Sequence, residues 1–259
     1  MERVFVTLST DMGLCSSTVA GMKALILELH PLAVVTDITH RISPTAKKSG
    51  IYPLLASYRH FPVGSYHLVL ADVYEGTDHR LVMVRKDGHY FVLPGNELLP
   101  YLAVDAEDCW TVHSFAPGTP HAEWVRQTVQ CIGAQKTAGS TEAMGAGPTG
   151  RGYKLFPGGI DCPILHYNRF GNIVLDLTKE HFYREVGDSD FRIPVSRRQE
   201  IRQIGTHYGQ VAEGDPLGYF NAGGYLEIAL NRASAARELG LEGCSPAQLR
   251  YRSVRIFLR

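Results

Sequence analysis

The feature that most constrains the fold is an alternation of strand-like and helix-like segments through the first ninety or so residues. Apolar residues recur at helical spacing over residues 19–29, and Ser43-Pro44 pairs a helix cap with a first-turn proline. Strand-like runs occupy residues 4–8, 33–38 and 67–71. Strand–helix–strand–helix–strand order implies crossover connections, so we expect an α/β N-terminal domain with a mostly parallel sheet.

Turn and linker signals divide the rest of the chain. Asp87-Gly88, between apolar runs, predicts a two-residue β-hairpin. Residues 133–160 are rich in Gly, Ala, Ser, Thr and Pro without periodicity, which predicts a linker. Beyond it, the predicted strands are residues 163–167, 172–177, 191–195, 225–230 and 253–258, with one helix at 233–239. We therefore expect an α/β domain over residues 1–150 and an all-β, barrel-like domain over 151–259.

Composition excludes several classes of protein. The 259 residues carry 26 basic and 26 acidic side chains, and 44% are apolar, which is typical of a folded globule. Zero net charge argues against attachment to nucleic acid or an acidic membrane by bulk charge. No apolar run is long enough for a membrane span, and the N-terminal residues lack a secretory leader pattern. Five scattered cysteines without a CxxC pair predict reduced thiols in a cytoplasm, and no metal-ligand spacing is present.

Polar residues cluster where the predicted strands end. Asp11, Asp37 and Asp72 fall at or near the ends of the three strand-like runs, with His40 and His79 close behind. Ligands of open α/β sheets bind beyond the carboxyl ends of the strands. Aspartate is also a common turn residue, so these positions predict a polar pocket and say little about its chemistry.

Six strings, in order along nearly the whole chain, resemble one family. "TLSTDMG", "VVTDITHRISP", "HLVLADVYEGTDHR" and "LPGNELL" are similar to its N-terminal motifs. "YNRFGNIVLDL" and "FNAGGYLEIALNRASAA" are similar to its long C-terminal motifs V-D-R-F-G-N-x-x-T-N and N-S-x-G-Y-L-E-I-A-x-N-x-G-S-A-A. The family comprises the S-adenosylmethionine (SAM) hydroxide adenosyltransferases and their relatives, the fluorinases and chlorinases.

The resemblance implies a fold, an assembly and a reaction. It implies an α/β domain followed by a β-barrel domain, in a homotrimer with substrate sites between subunits. The implied reaction is attack of water at C5′ of SAM, releasing adenosine and methionine, with SAM as substrate and no cofactor. One alternative is an adenosine- or SAM-binding protein that has lost turnover, and a distant third is a SAM-dependent halogenase.

The resemblance also implies a catalytic trio. Asp72 matches the hydrolases' water-activating aspartate, where the halogenating relatives carry tyrosine. His79 falls where the hydrolases carry the arginine of the trio, and Arg80 is one residue further. The third member is a histidine, for which "TPHAEW" gives His121 and "VHSFAP" gives the competing His113; the string match favours His121.

Substrate-binding positions follow from the same strings. Asp11 matches the aspartate that binds the ribose hydroxyls, and Asn172 matches the residue that reads the adenine edge. Tyr208 matches the aromatic residue that stacks on adenine. Phe170 is equally compatible with barrel core, and Asn96 with a local turn.

Other positions depart from the family pattern around the nucleophile and the amino-acid end of the substrate. Asn168 replaces an aspartate that faces the methionine ammonium group, Ala222 replaces a serine, and Gly95 replaces the aspartate of D-N-G. Glu227 and Asn231 match the last motif, and we expect them to have structural roles.

Overall fold

The structure is a computed structural model that describes residues 3–74, 78–134 and 152–259. The chain divides into two compact units, Met1–Thr149 and Gly150–Arg259. Within the described ranges, every helix is too short or too polar to cross a membrane.

Over its described residues, the first unit contains a six-stranded sheet and four helices. Its strands are β1 (Phe5–Thr10), β2 (Val34–Thr39), β3 (Tyr66–Leu70), β4 (Arg80–Lys86), β5 (His89–Pro94) and β6 (Asp108–Ser114). Its helices are α1 (Ser17–Leu29), α2 (Lys47–Ser57), α3 (Leu99–Leu102) and α4 (His121–Gln130), with a 3₁₀ turn at Tyr58–His60.

The strand order in this sheet is β2-β1-β3-β5-β4-β6. The pairs β1/β2, β1/β3 and β3/β5 are parallel, whereas β4 is antiparallel to both β5 and β6. The sheet is therefore mixed, and the expected parallel pairing holds for the half that contains the first three strands. Because β1 and β3 are parallel neighbours, their carboxyl ends lie side by side.

Helices cover both faces of the sheet. On one face, α1 and α4 pack through Met22, Ile26 and Trp124 against alternate residues of β1, β3 and β4. On the other face, α2 and α3 pack through Leu54 and Leu102 against the intervening strand residues. Successive side chains of a strand point to opposite faces, so β3 and β4 each contribute to two separate apolar layers.

The local predictions for this unit have mixed outcomes. Asp87 and Gly88 both have positive φ (51° and 75°), as a type I′ hairpin requires, and they connect β4 to β5 as predicted. Ser16 caps α1 through its side chain. However, α2 begins at Lys47 rather than at Ser43, because residues 43–46 form a separate turn closed by the Ala46 N–H. Strand β6 and helix α4 were not predicted.

A polar cluster is buried between the sheet and α2. The Nδ1 atom of His67 lies 2.8 Å from the Thr7 hydroxyl, and its Nε2 atom lies 3.2 Å from Nδ1 of His89. The rings of Tyr58 and Phe91 pack around the two imidazoles. Burial lowers the pKa of His67 to about 3, and the neighbouring His89 contributes in the same direction. His67 is therefore neutral in the folded protein.

The second unit is a curved, mostly antiparallel sheet. Its strands are β7 (Lys154–Phe156), β8 (Gly159–Tyr167), β9 (Ile173–Thr178), β10 (Phe191–Pro194), β11 (Glu200–Ile201), β12 (Ile204–Gly205), β13 (Pro216–Phe220), β14 (Tyr225–Leu230) and β15 (Ser253–Leu258). Its helices are α5 (Lys179–Val186), α6 (Ala235–Glu238) and α7 (Pro246–Leu249), with a 3₁₀ turn at Tyr208–Gln210.

This sheet closes nearly into a barrel. The path runs β11-β10-β15-β8-β9-β14-β13-β12, and β7 pairs with β8. Its two terminal strands, β11 and β12, are joined by only residues 202 and 203, and β11 also lies against β13. The core inside the sheet contains Leu175, Phe182 and Leu226. The expected barrel-like architecture is thus found in its coarse form.

Two expectations for the second unit need correction. Residues 154–160, predicted as linker, form the hairpin of β7 and the start of β8, turning at Gly158 with φ +86°. The centre of the predicted linker, residues 135–151, lies outside the described residues. The unit also contains helix α5, whose Phe182 and Val186 are buried, so 233–239 is not its only helical segment.

Candidate active site

The ends of β1 and β3 bring two predicted aspartates together. The carboxylate of Asp11 accepts a hydrogen bond from the main-chain N–H of Asp72, with 2.8 Å between Oδ2 and N. Thr10 and Leu70 are paired in the register, so the residues that follow them leave the sheet at the same edge. The pairing of these strands therefore explains the contact, as expected for carboxyl ends of parallel neighbours.

Asp72 lies in a turn of residues 71–74, which we call the β3 turn. Its backbone is left-handed, with φ 59°, a conformation that aspartate tolerates better than most residues. The side-chain amide of Asn96 donates to the carbonyl oxygens of Ala71 and Asp72 at 2.9 and 3.2 Å. Asn96 also accepts from the N–H of Leu98. The turn is consequently held from both sides, by Asp11 and by Asn96.

A buried ion pair forms on the other side of Asp72. Its Oδ2 atom pairs with Nζ of Lys47, the first residue of α2. The two side chains are only 4% and 11% exposed. Lys47 also lies 3.1 Å from Oε2 of Glu97, whose side chain is 82% exposed. Burial lowers the pKa of Lys47, but its hydrogen bonds to Asp72 and Glu97 outweigh that effect and raise it overall.

His121, the first residue of α4, lies near the same edge of the sheet. Its ring centroid is 6.2 Å from that of Tyr74 in the β3 turn. Burial lowers the pKa of His121, and the charge of Asp11 opposes that shift. The ring of the competing candidate, His113 on β6, lies 4.5 Å from the ring of Phe115. Asp11 and Tyr74 therefore connect His121 with the β3 turn, whereas the ring of His113 contacts the buried Phe115.

His79 stands at the position where the family resemblance implies an arginine, and Arg80 follows it. His79 precedes β4, and its carbonyl accepts from the N–H of Phe115. The guanidinium of Arg80 is bound by both carboxylate oxygens of Asp78, at 2.8 and 2.6 Å. That carboxylate lies directly over Gly95, where an added Cβ would be 2.6 Å from Oδ2 of Asp78. Among the described contacts, Lys47 rather than His79 or Arg80 is the cation beside Asp72.

Asp37 belongs to a separate arrangement. Its carboxylate pairs with Lys23 of α1 at 2.6 Å and with Nε2 of His40 at 3.2 Å. Burial raises the pKa of Asp37, but these two partners outweigh it and lower the pKa overall. The other ring nitrogen of His40 lies 2.9 Å from the hydroxyl of Thr10. Of the three strand-end aspartates, Asp11 and Asp72 are therefore the two in contact.

In the second unit, a buried carboxylate organises the predicted adenine-binding residues. Oε1 of Glu227 on β14 accepts from the amides of Asn168 (3.1 Å) and Asn172 (2.8 Å) and from the hydroxyl of Tyr219 (2.6 Å). Its Oε2 accepts from Asn221 at 3.0 Å. We call these five residues the Glu227 network. Burial and the bond to Glu227 raise the pKa of the Tyr219 hydroxyl.

The loop between β8 and β9 is closed by Asn168. Its side-chain oxygen accepts from the N–H groups of Phe170 and Asn172 at 3.0 and 3.1 Å. Gly171 has φ +81° and lies so close to Ser234 that an added Cβ would be 2.0 Å from its hydroxyl oxygen. Phe170, at the tip of the loop, is 75% exposed. It is therefore a surface residue of the chain and not part of the barrel core.

Tyr208 approaches the same network from a 3₁₀ turn. Its hydroxyl lies 2.5 Å from the amide nitrogen of Asn172 and 3.3 Å from the hydroxyl of Tyr219. Tyr208 remains 39% exposed, so part of the residue is accessible to solvent. Ala222, in the β13–β14 hairpin, is exposed next to Asn221. The hairpin is closed by Asn221, which accepts from the N–H groups of residues 223 and 225.

Sequence reasoning missed three of these residues and gave one a lesser role. It did not select Lys47, Tyr219 or Asn221, and it assigned Glu227 a structural role. A signal for Glu227 was available, because it is an acidic residue within the apolar strand "YLEIAL". Burial of such a carboxylate requires hydrogen-bond donors from neighbouring strands. Among the described residues, no group of three or more His, Cys, Asp or Glu side chains is arranged to hold a metal ion.

Comparisons with known proteins agree with these motifs. The (R)-S-adenosyl-L-methionine hydrolase of Thermus thermophilus is 28% identical over 259 residues, covering 93% of this chain and 97% of that protein. The protein of the same name from Salinispora tropica is 24% identical over 254 residues, covering 92% and 94%. An uncharacterized conserved protein of Thermotoga maritima has a similar solved structure, with a TM-score of 0.76, 21% identity and coverage of 98% and 99%.

Two family descriptions match successive parts of the chain. Residues 6–139 match the SAM hydroxide adenosyltransferase N-terminal domain, and residues 162–247 match the C-terminal domain of the same family. The matched ranges contain the β3 turn, Lys47 and His121 in the first case, and the Glu227 network in the second. The chain therefore belongs to the SAM hydroxide adenosyltransferase family.

Proposed function

We propose that this protein hydrolyses S-adenosylmethionine to adenosine and methionine by attack of water at C5′. Besides family membership, the observation that carries the proposal is Asp72, a buried carboxylate in a strained turn at the carboxyl end of β3. Strained backbone of this kind persists only where surrounding contacts enforce it, and it concentrates at active sites. Aspartate rather than tyrosine at this position favours water over halide as the nucleophile.

The chemistry asks the protein to place a water molecule. The oxygen of water forms a bond to C5′, the C5′–S bond breaks, and the sulfur keeps the electron pair as a neutral thioether. No strong acid is needed for that leaving group, and the proton lost from water passes to a nearby base. In this proposal the Asp72 carboxylate accepts a hydrogen bond from the water, and the imidazole of His121 provides a second, neutral hydrogen-bonding partner for that water. Alignment of this kind can supply about 7 kcal/mol of the barrier.

The remaining predicted residues would hold the substrate. We propose that Asp11 accepts hydrogen bonds from the ribose hydroxyls, because its carboxylate already lies against the β3 turn. Asn172, with Tyr208, would hold adenine, and Phe170 would cover it. Asn168 and Ala222 would lie towards the methionine end. His79 would complete the trio as a polar residue, and Asn96 would act by fixing the position of Asp72.

The test is product formation by the purified chain. The (R)- and (S)-epimers of SAM at sulfur are incubated separately with the protein, and adenosine and methionine are measured by chromatography. We expect Asp72→Asn to lower kcat about 100-fold or more, in the range typical of general acid–base groups. Asp105→Asn is the matched control, because Asp105 is also left-handed (φ 55°) but exposed. Equal trace rates in the wild type and Asp72→Asn would refute the catalytic assignment.

The binding-only alternative is supported by the exchange of the implied arginine for His79 and by the engagement of Arg80 with Asp78. It predicts that calorimetry detects adenosine binding as tight as SAM binding, without product after overnight incubation. Formation of 5′-chloroadenosine in chloride buffer would instead favour the halogenase reading.

Assembly and location are further parts of the proposal. We propose a homotrimer on the family resemblance. Size-exclusion chromatography with light scattering tests it, and a monomer at micromolar concentration would contradict it. All five cysteines are free in the structure, which supports the proposed location in a reducing cytoplasm.

A further inference from the structure

The negative charge of the buried Asp72 carboxylate is not compensated by the residue that the family pattern places beside it. The Asp72 side chain is 4% exposed, and a buried carboxylate is unfavourable unless a cation or several donors compensate it. In the hydrolases that this chain resembles, an arginine occupies the position seven residues further on. Here that residue is His79, whose imidazole lacks the fixed fork of five N–H donors that a guanidinium offers.

The neighbouring arginine is committed elsewhere. Both oxygens of Asp78 bind the Arg80 guanidinium, and the Asp78 carboxylate rests on the backbone at Gly95. Any side chain at position 95 would displace that carboxylate. Arg80 is thus held by Asp78, so the positive charge that compensates the Asp72 carboxylate comes from another element.

Lys47 meets this requirement. Its ammonium pairs with the Asp72 carboxylate, both side chains are buried, and it reaches Asp72 from α2 rather than from the strand that follows the β3 turn. Its presence at the first position of α2 is not explained by helix stability. The amino end of a helix favours negative rather than positive side chains, by about 0.3–1 kcal/mol. Nor is α2 capped by a side chain there.

A second carboxylate, on the solvent side, also contacts the ammonium group of Lys47. Glu97 lies 3.1 Å from Nζ and is 82% exposed, so it helps to orient the ammonium while remaining in solvent. An ammonium group has three N–H donors, and two of them face these carboxylates. Among the described residues, the third has no recorded partner and is available to a water molecule beside Asp72.

We propose that Lys47 is a positioning residue of the reaction centre, supplying from α2 the positive charge that the family's arginine supplies in its relatives. This inference rests on the proposed hydrolase function. Its ammonium holds the Asp72 carboxylate in one orientation, and its third N–H directs the attacking water. The raised pKa of Lys47 agrees with an ammonium that stays charged throughout the neutral range.

Steady-state kinetics test the role directly. Lys47→Met removes the charge but keeps the length, and Lys47→Arg retains the charge. We expect Lys47→Met to lower kcat about 10- to 100-fold with KM changed less than about threefold. Lys47→Arg should recover about tenfold of the loss.

Lys48→Met is the matched control. Lys48 is the next residue of α2, and its ammonium lies 5.6 Å from the ring centroid of Tyr101 rather than beside Asp72. We expect this variant to retain wild-type kcat and KM. Wild-type kcat in Lys47→Met would overturn the inference while leaving the hydrolase function intact.

A thermal double-mutant cycle separates the two proposals. Lys47→Met should lower the Tm by about 5–10 °C, because it leaves Asp72 buried without its cation. Adding Asp72→Asn to Lys47→Met should recover most of that loss. If the wild type shows no turnover, the hydrolase proposal fails, and the cycle then reports only whether Lys47 compensates the charge of Asp72. Additive Tm changes in the cycle would overturn the inference, whatever the turnover.

Discussion

The buried imidazole of His67 should make the first unit sensitive to acid, and the size of the effect follows from its surroundings. His67 contacts Thr7 and His89 and is packed between aromatic rings, where burial lowers its pKa from 6.5 to about 3. In the unfolded chain the same residue takes up a proton near pH 6.5. Between the two values, the unfolded state binds more protons than the native state, so stability falls as pH falls.

The magnitude can be worked out for a fall from pH 7.5 to 4.5. At pH 4.5 the unfolded imidazole is two pH units below its pKa and is protonated, whereas the folded one is still neutral. Each unit corresponds to about 1.4 kcal/mol, so His67 alone should reduce the free energy of unfolding by about 2–3 kcal/mol. No such contribution is expected above pH 7.5, where both states are neutral.

Urea denaturation of the wild type and His67→Gln at the two pH values measures this difference. Other titrating groups contribute to the acid sensitivity of both proteins, so the comparison isolates the imidazole. His67→Gln should be less stable than the wild type at pH 7.5, since it loses the ring packing. Its further loss on acidification should be smaller than that of the wild type by about 2–3 kcal/mol.

His60→Gln serves as the control, because His60 is an exposed histidine at the end of the 3₁₀ turn that follows α2. Its acid sensitivity should match that of the wild type. An identical pH-dependent loss in His67→Gln and the wild type would refute the reasoning, since it would mean that the buried imidazole takes up a proton without cost.

Two further predictions concern residues that hold the site together. Asn96→Ala removes the amide that binds the carbonyls of Ala71 and Asp72, so the Tm should fall by an amount equivalent to about 1–3 kcal/mol, and kcat should fall with it. Calorimetric melting measures the Tm and the product assay measures kcat. An unchanged kcat would contradict the role of Asn96 in positioning Asp72. Glu227→Gln replaces an acceptor of four hydrogen bonds by an amide that competes with its donors, so adenosine should bind at least about tenfold more weakly in calorimetry. Wild-type affinity in that variant would show that the Glu227 network does not shape the binding surface.

Local signals were sufficient for the first three strands and for the hairpin, because periodicity and turn chemistry act within a few residues. Helix α4 escaped prediction although Trp124, Val125, Thr128 and Val129 form a buried helical stripe. The stripe is narrow, and the remaining residues are polar, so the pattern is weak in the sequence alone. Strand β6 is half-buried at the edge of the sheet, where apolar alternation is not required.

For the candidate site, the sequence was informative where strand ends determine proximity. Asp11 and Asp72 follow neighbouring parallel strands, so their contact was predictable from topology. Lys47 was not predictable in this way. Its approach to Asp72 depends on α2 beginning at residue 47 rather than near Ser43, and on where that helix lies along the sheet. Neither the first residue of α2 nor its place along the sheet can be predicted from a short stretch of sequence.

The anchoring of the β3 turn has a consequence for how this scaffold can change over evolution. Asp11 and Asn96 hold residue 72 by its N–H and by the carbonyls of residues 71 and 72. None of these anchors uses the side chain of residue 72, so a new side chain there inherits a position already prepared for it. A single substitution at position 72 can therefore change the reactivity of the site while the turn keeps its backbone. The new residue must tolerate a left-handed backbone, and its side chain must be compatible with the ammonium of Lys47.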